Sequence, residues 1–184
     1  MKTKSKKLIG ITGRAGSGKD TAGTHLMMEH GFHRMAFADP LKEAIAALFG
    51  LDVMALHDRE TKDEYDPHWG ITRRAMMQRV ADAIRGEFGQ EHFIHRWLNS
   101  YLPLSLSNHV VVTDVRTDQE AMAIHRMGGH VILIERKSAG LIGTEGQHHT
   151  ERGISPHLID HVVVNNGRQV DAYTQLNMIL ENLG

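Results

Sequence analysis

The chain has no cysteine. That excludes disulfides and thiolate metal sites, and it is compatible with a reducing compartment. It also has no long apolar run. The basic opening MKTKSKK leads only into residues 8–11, too short for a signal-peptide core and far too short for a membrane span. Net charge is almost absent, −1 with histidine neutral, so nothing points to bulk attraction to nucleic acid or membrane. No internal repeat, low-complexity tract or Pro/Gly-rich linker interrupts the 184 residues, a length suited to one domain with a real core. The fourteen histidines are many, but none falls in an H-E-x-x-H pattern. The adjacent His148 and His149 cannot share a helical face, so the histidines read mostly as surface residues rather than as a metal site. The expectation is a soluble, cytoplasmic single domain with no nucleic-acid or membrane partner.

What is present begins at LIGITGRAGSGKDT. A short apolar strand runs into Gly13, Arg14, Ala15, Gly16, Ser17, Gly18 and Lys19, and a helical composition follows. Strand, G-x-x-x-x-G-K loop and helix form the phosphate-binding P-loop pattern. Glycines admit positive φ and remove Cβ atoms that would block a phosphate. Backbone N–H groups then make an anion nest at a helix N-terminus, and Lys19 adds a point charge for β- and γ-phosphates. The hydroxyl residue that commonly follows the lysine is replaced by Asp20, with Thr21 next. Asp20 is suited to hold Mg²⁺ through a water, and Thr21 to reach an α-phosphate.

Strand-like and helical segments alternate along the chain, which predicts a parallel α/β sheet. Strands are expected at 8–12, 32–38, 109–113, 131–135 and 160–164. Helices are expected at 19–29, closed by Gly31, and at 39–49, with Asp39 as cap and Pro40 first in the helix. Others follow at 73–88, between the cap Thr72 and Gly89, at 92–101, stopped by Pro103, at 117–127 and at 170–183. Residues 52–70 read as polar and irregular, and 136–156 as polar and hard to place. Right-handed crossovers would give a three-layer α/β/α sandwich with a five-stranded parallel sheet. Ligands bind beyond the carboxyl ends of such strands, where the P-loop, Asp39 and Asp114-Val115-Arg116 would lie.

Asp114 ends an apolar strand, as a Walker B aspartate does, and can hold Mg²⁺ or its water. Arg116 is suited to grip phosphate bidentately. Arg73, Arg74, Arg79 and Arg85 share one predicted helix. The first two sit at its N-terminus, where the macrodipole disfavours cations unless an anion binds; Arg73 is the preferred phosphate ligand. Lys42 is similarly placed one turn into its own helix. This is equipment for phosphoryl transfer. No strong general base stands out, and a phosphate acceptor needs none, because its second pKa is about 6. Charge neutralisation is what two anions require. Arg136 and Arg152 flank a glycine-containing insertion, about 136–156, that reads as a lid excluding water. Phe37 and Trp69 offer aromatic faces to a base.

GRAGSGKDT, FADPLKEA (37–44), ITRRAMMQRVADAIR (71–85), VVVTDVRTDQEA (110–121), HTE (149–151) and VVVNNG (162–167) together cover nearly the whole chain. In these the chain resembles the deoxynucleoside monophosphate kinases of tailed bacteriophages and their bacterial relatives, within the P-loop nucleoside monophosphate kinase superfamily. The resemblance implies a P-loop NTPase fold with ATP and Mg²⁺ at residues 13–21. It implies a deoxynucleotide acceptor near Phe37, Asp39, Lys42, Arg73, Gln78 and Arg116, a helical acceptor region at about 39–102, and adenine contacts near Asn165, Asn166 and Gly167. The family tends to have Thr-Pro-Arg where this chain has Thr72-Arg73-Arg74, so the acceptor phosphate falls to Arg73 or to Arg74. The partner is a small-molecule nucleotide, with a homodimer left open. Rival readings change the acceptor to dephospho-coenzyme A or phosphomevalonate, or remove it in a nucleotide-binding ATPase. A GTPase would show D-x-x-G and N-K-x-D where DVRT and VNNG stand.

Overall fold

The computed structural model describes residues 6–139 and 153–183. In chain order its elements are β1 (Leu8–Thr12), α1 (Lys19–His30), β2 (His33–Met35), α2 (Asp39–Phe49), α3 (Arg59–Lys62), β3 (Tyr65–Asp66), β4 (Ile71–Thr72), α4 (Arg73–Phe88), α5 (His92–Ser105), β5 (Val110–Val112), α6 (Asp118–Arg126), β6 (His130–Glu135), β7 (His161–Val164) and α7 (Gln169–Asn182). They fall into two compact units, Met1–Ala36 with Trp97–Gly184, and Phe37–Arg96.

In the first unit the apolar runs pair into one parallel sheet of five strands, ordered β2-β5-β1-β6-β7. β1 lies at the centre and is buried along its whole length. A strand covered on both faces reads as a continuous apolar run, as LIGIT does. Side chains alternate between the faces. Ile9 and Ile11 point into a core shared with Leu26 of α1 and with Leu176 and Leu180 of α7. Gly10 points the other way, where a Cβ would stand 3.0 Å from Val115 and 3.2 Å from Ile124 of α6. Helices therefore cover both faces, and the architecture is the expected three-layer sandwich. The carboxyl end of β1 runs directly into the glycine loop.

Strand ends are set by pairing rather than by hydropathy. β2 stops at Met35 instead of continuing to residue 38, because its partner β5 is only three residues long and the Thr113 N–H bonds the Met35 carbonyl. β5 and β7 each begin one residue later than their apolar patterns suggest. α5 runs through Pro103 to Ser105 rather than stopping short of it. In a last turn, a missing N–H removes a single ladder bond. The α6 boundary was legible from local chemistry: Thr117 caps it and forms a reciprocal capping box with Glu120.

The second unit is mainly helical. Thr72 caps α4 as expected, its Oγ accepting the Ala75 N–H at 3.1 Å. Asp39 does not cap α2. Ala38 takes the cap position without a side-chain bond, and Asp39 instead faces Lys42 one turn on, at 3.6 Å. Residues 52–70 are more ordered than their polarity suggests. Asp52 caps a 3₁₀ turn at Val53–Leu56, and β3 pairs with β4 as a short hairpin whose turn is held by Asp66, which accepts the His68 and Trp69 N–H groups. Side chain-to-backbone bonds of this kind order polar segments that carry no hydrophobic period. No helix among the described residues is long and apolar enough to cross a membrane.

Candidate active site

Three glycines of the loop after β1 have positive φ: Gly13 at 142°, Gly16 at 77° and Gly18 at 105°. Two of these positions also have no room for a side chain. A Cβ on residue 13 would lie 2.4 Å from the Ile134 carbonyl oxygen and 2.7 Å from Ser17 Oγ; one on residue 18 would lie 2.5 Å from Asn165 Nδ2. Gly18 takes the N-cap position of α1 in a left-handed conformation with no side chain to cap the helix. The amides of the first turn have no carbonyl one turn back, and the macrodipole favours an anion there. Lys19 Nζ donates to the carbonyls of Gly13 at 2.7 Å and Arg14 at 2.9 Å, so its ammonium is held across the loop. Ser17 is fully buried, its hydroxyl has no hydrogen-bond partner among the described residues, and its N–H closes a turn to the Arg14 carbonyl at 3.1 Å. Asp20 and Thr21 are exposed in the first turn of α1.

The ends of three neighbouring strands build the wall around this loop. After β5 the Val115 N–H bonds the Ile11 carbonyl at 3.1 Å, which sets Asp114, half-buried, beside the end of β1. The half-buried Arg116 donates its backbone N–H to Glu120 Oε2 at 2.7 Å, which fixes the turn carrying its guanidinium. After β6, Arg136 is exposed. After β7 the Asn165 N–H bonds the Glu135 carbonyl at 2.8 Å, Asn165 Nδ2 donates to the Ser17 carbonyl at 2.8 Å, and Asn166 Oδ1 accepts the Lys137 N–H at 2.8 Å. A shallow hollow opens beside the loop, lined among others by Gly18, Thr21, Asn165, Gln169 and Tyr173. Gly167 follows in the turn before α7, where a Cβ would lie 3.3 Å from Asp171 Oδ2. Arg152 and the HTE motif lie outside the described residues.

Two features of this unit left no mark in the sequence. The Asp118 carboxylate accepts the Ser155 hydroxyl at 2.6 Å and its N–H at 2.7 Å. Those two bonds hold its pKa below the usual carboxylate value. His25 is not a surface residue. It is buried on α1, stacked on Tyr173 at 4.0 Å and bonded to Asn177 at 2.8 Å.

In the second unit the adjacent Arg73 and Arg74 have different surroundings. Arg74 is buried and forked onto both oxygens of Asp63 through Nε and Nη2. Arg73 is half-buried; its Nη1 donates to the Thr61 carbonyl at 2.7 Å and Glu64 at 2.9 Å, while its buried Nε has no partner among the described residues. Lys42 donates to His57 Nδ1 at 3.2 Å. Trp69 is exposed and stands edge-on to Phe49, Phe37 is buried, and Gln78 is half-buried on α4.

A family model described as deoxynucleotide monophosphate kinase matches residues 53–176. The chain belongs to the deoxynucleotide monophosphate kinase family. A protein of Acanthamoeba polyphaga mimivirus, described as a candidate deoxynucleotide monophosphate kinase, is 35% identical over 95% of this chain and 96% of its own length. Among solved structures, the dephospho-CoA kinase from Campylobacter jejuni aligns at a TM-score of 0.56, with 12% identity and 97% of each chain covered. TT1252 from Thermus thermophilus aligns at 0.53, with 19% identity, 98% of this chain and 100% of that one covered. At such identities these two share the fold alone. As a kinase of this family, the chain is a phosphotransferase acting on nucleoside monophosphates.

Proposed function

We propose that this kinase transfers the γ-phosphoryl group of ATP to a deoxynucleoside monophosphate, giving the diphosphate and ADP. The observation that carries the reading is the loop itself, with Lys19 held by two loop carbonyls at the uncapped start of α1. An oxygen of the acceptor phosphate forms the new bond to the γ-phosphorus, the bond to the β,γ-bridging oxygen breaks, and ADP leaves. No base is required, since the acceptor phosphate is largely ionised at neutral pH. The chain's contribution is to position and neutralise. Residues 13–21 hold the triphosphate, and Lys19 moves from the loop carbonyls onto its β- and γ-oxygens.

Asp20 and Asp114 fit Mg²⁺. They are oxygen donors, and Mg²⁺ takes one or two carboxylates, completing its shell with water and phosphate oxygens. Bound there, the metal would neutralise charge on the transferring phosphate. Arg116 and Arg136 add positive charge at the strand ends, joined by Arg152 from the lid segment, whose closure would keep water from the γ-phosphate. On the acceptor side we assign the phosphate to Arg73 and Lys42, and the base to Trp69 and Gln78, with Asp39 orienting Lys42 and Phe37 packing beneath. Arg74 serves structure, because both arms of its fork are taken by Asp63. Asn166 and Gly167 border the donor's base, and Asn165 joins their turn to the glycine loop. The acceptor is a free nucleotide rather than a nucleic-acid end, in keeping with the net charge of −1, and the reaction belongs in the cytoplasm with both substrates.

The test is ADP formation from ATP across a panel of nucleoside and deoxynucleoside monophosphates. At least one deoxynucleotide should stimulate turnover tenfold or more over ATP alone, and Lys19→Ala should abolish that stimulation, with transition-state contacts of this kind worth roughly 3–4 kcal/mol. Stimulation by dephospho-coenzyme A and by no nucleotide would overturn the acceptor assignment.

A further inference from the structure

The turn after β7 touches the phosphate loop at a point far removed in sequence. Asn165 Nδ2 donates to the Ser17 carbonyl at 2.8 Å across 148 residues. The same nitrogen fills the space beside Gly18, 2.5 Å from where a Cβ would be. Asn165 itself is not left to the loop's mobility. Its backbone N–H is tied to the Glu135 carbonyl at 2.8 Å. Val164, just before it on the open edge of the sheet, is gripped at both backbone groups by one side chain of α7: its N–H donates to Gln175 Oε1 at 2.9 Å, and its carbonyl accepts from Gln175 Nε2 at 3.1 Å. A rigid line of bonds therefore runs from α7 through the edge strand into the middle of the glycine loop. Within the loop, the Ser17 N–H bonds the Arg14 carbonyl and Lys19 bridges the Gly13 and Arg14 carbonyls. That bridge must open if Lys19 is to reach a phosphate, whereas the Asn165 bond, which comes from outside the loop, can persist while nucleotide is bound.

We infer that Asn165 is a positioning residue for the phosphate cradle: its amide, held in place by Gln175 through Val164, fixes the Ser17–Gly18 peptide so that the loop is preformed for polyphosphate. This rests on the assignment of residues 13–21 as the donor's phosphate site. The role differs in kind from a contact with the donor's base. A preformed cradle should favour every polyphosphate equally, whatever base it carries, whereas a base contact should distinguish among bases and should not affect inorganic tripolyphosphate at all.

The experiment measures dissociation constants of the full-length protein for ATP, GTP and inorganic tripolyphosphate, each with Mg²⁺, by calorimetry. Wild type, Asn165→Ala and Gln175→Ala are compared, and hydrogen exchange of the ligand-free proteins is followed over residues 13–19. Loss of one such bond, partly buried, corresponds to a change of up to about tenfold. Asn165→Ala should therefore weaken ATP, GTP and tripolyphosphate by the same factor, up to about tenfold, raise the KM for ATP while leaving that for the acceptor in place, and speed exchange in the loop. Gln175→Ala, which touches neither loop nor ligand, should do the same more weakly, and it serves if Asn165→Ala does not fold. A loss for ATP with tripolyphosphate unchanged in Asn165→Ala would make the residue a base contact and overturn the inference, as would unchanged loop exchange in both variants. If wild type binds no tripolyphosphate, the phosphate-site assignment fails separately, and loop exchange still decides whether Asn165 restrains the loop.

Discussion

Replacing Gly13 by alanine tests the loop geometry against a control built into the same fold. Gly31 closes α1 at φ 66°, with nothing within 4 Å of an added Cβ. Gly31→Ala should cost only the left-handed strain, about 1–2 kcal/mol. For a chain of this size that is roughly 2–8 °C in Tm, with kinase turnover unchanged. Gly13, at φ 142°, lies beyond the left-handed well that a residue with a Cβ can occupy, so its strain is larger, and its Cβ would also meet the Ile134 main-chain oxygen at 2.4 Å, where ordinary contact begins at 3.4 Å. Ile134 is held in the sheet opposite Val163, so the loop must yield, by about 1 Å. A displacement of that size at a reacting group costs on the order of a hundredfold in rate. Thermal melts and steady-state kinetics of the two variants separate the effects. The larger loss of Tm and a turnover deficit are both expected in Gly13→Ala, with turnover intact in Gly31→Ala. Gly13→Ala turnover within fivefold of wild type would refute the claim that this glycine shapes the phosphate site.

The two adjacent arginines of α4 should behave oppositely. Arg74→Met should destabilise by about 1–3 kcal/mol, through loss of the fork onto Asp63, with little change in acceptor KM, while Arg73→Met should raise acceptor KM tenfold or more and barely move Tm; the reverse pattern would transfer the acceptor phosphate to Arg74. Asp114→Asn should shift the Mg²⁺ dependence of activity to higher concentration, and an unchanged titration would remove the carboxylate from the metal's shell. The depressed pKa of Asp118 gives a stability contribution that is present above its unfolded value, about 3.9, and is lost as pH falls through the folded value. Asp118→Asn should therefore melt lower than wild type at pH 7, with the gap closing as pH falls below about 4. A gap independent of pH would mean that the Ser155 bonds do not depend on the charge.

Local chemistry was readable from the chain alone. The spacing of Gly13, Gly18 and Lys19, the apolar runs of β1 and β6, and the threonine cap at Thr72 each depend on residues within a few positions of one another, and each stands where the sequence placed it. Other features depended on distant partners. β2 ends where β5 ceases to pair with it, and His25 is buried because α7 brings Tyr173 and Asn177 against it. Two identical side chains, Arg73 and Arg74, are told apart only by which acidic residue each one faces. The bond from Asn165 to Ser17 joins positions that share no period and no motif. A sequence pattern records what a residue requires of its near neighbours in a helix turn, a strand or a cap. Which distant group fills the space beside Gly18 is decided only when the sheet has aligned the end of β7 with the end of β1, because that choice is made by packing and hydrogen-bond satisfaction in three dimensions.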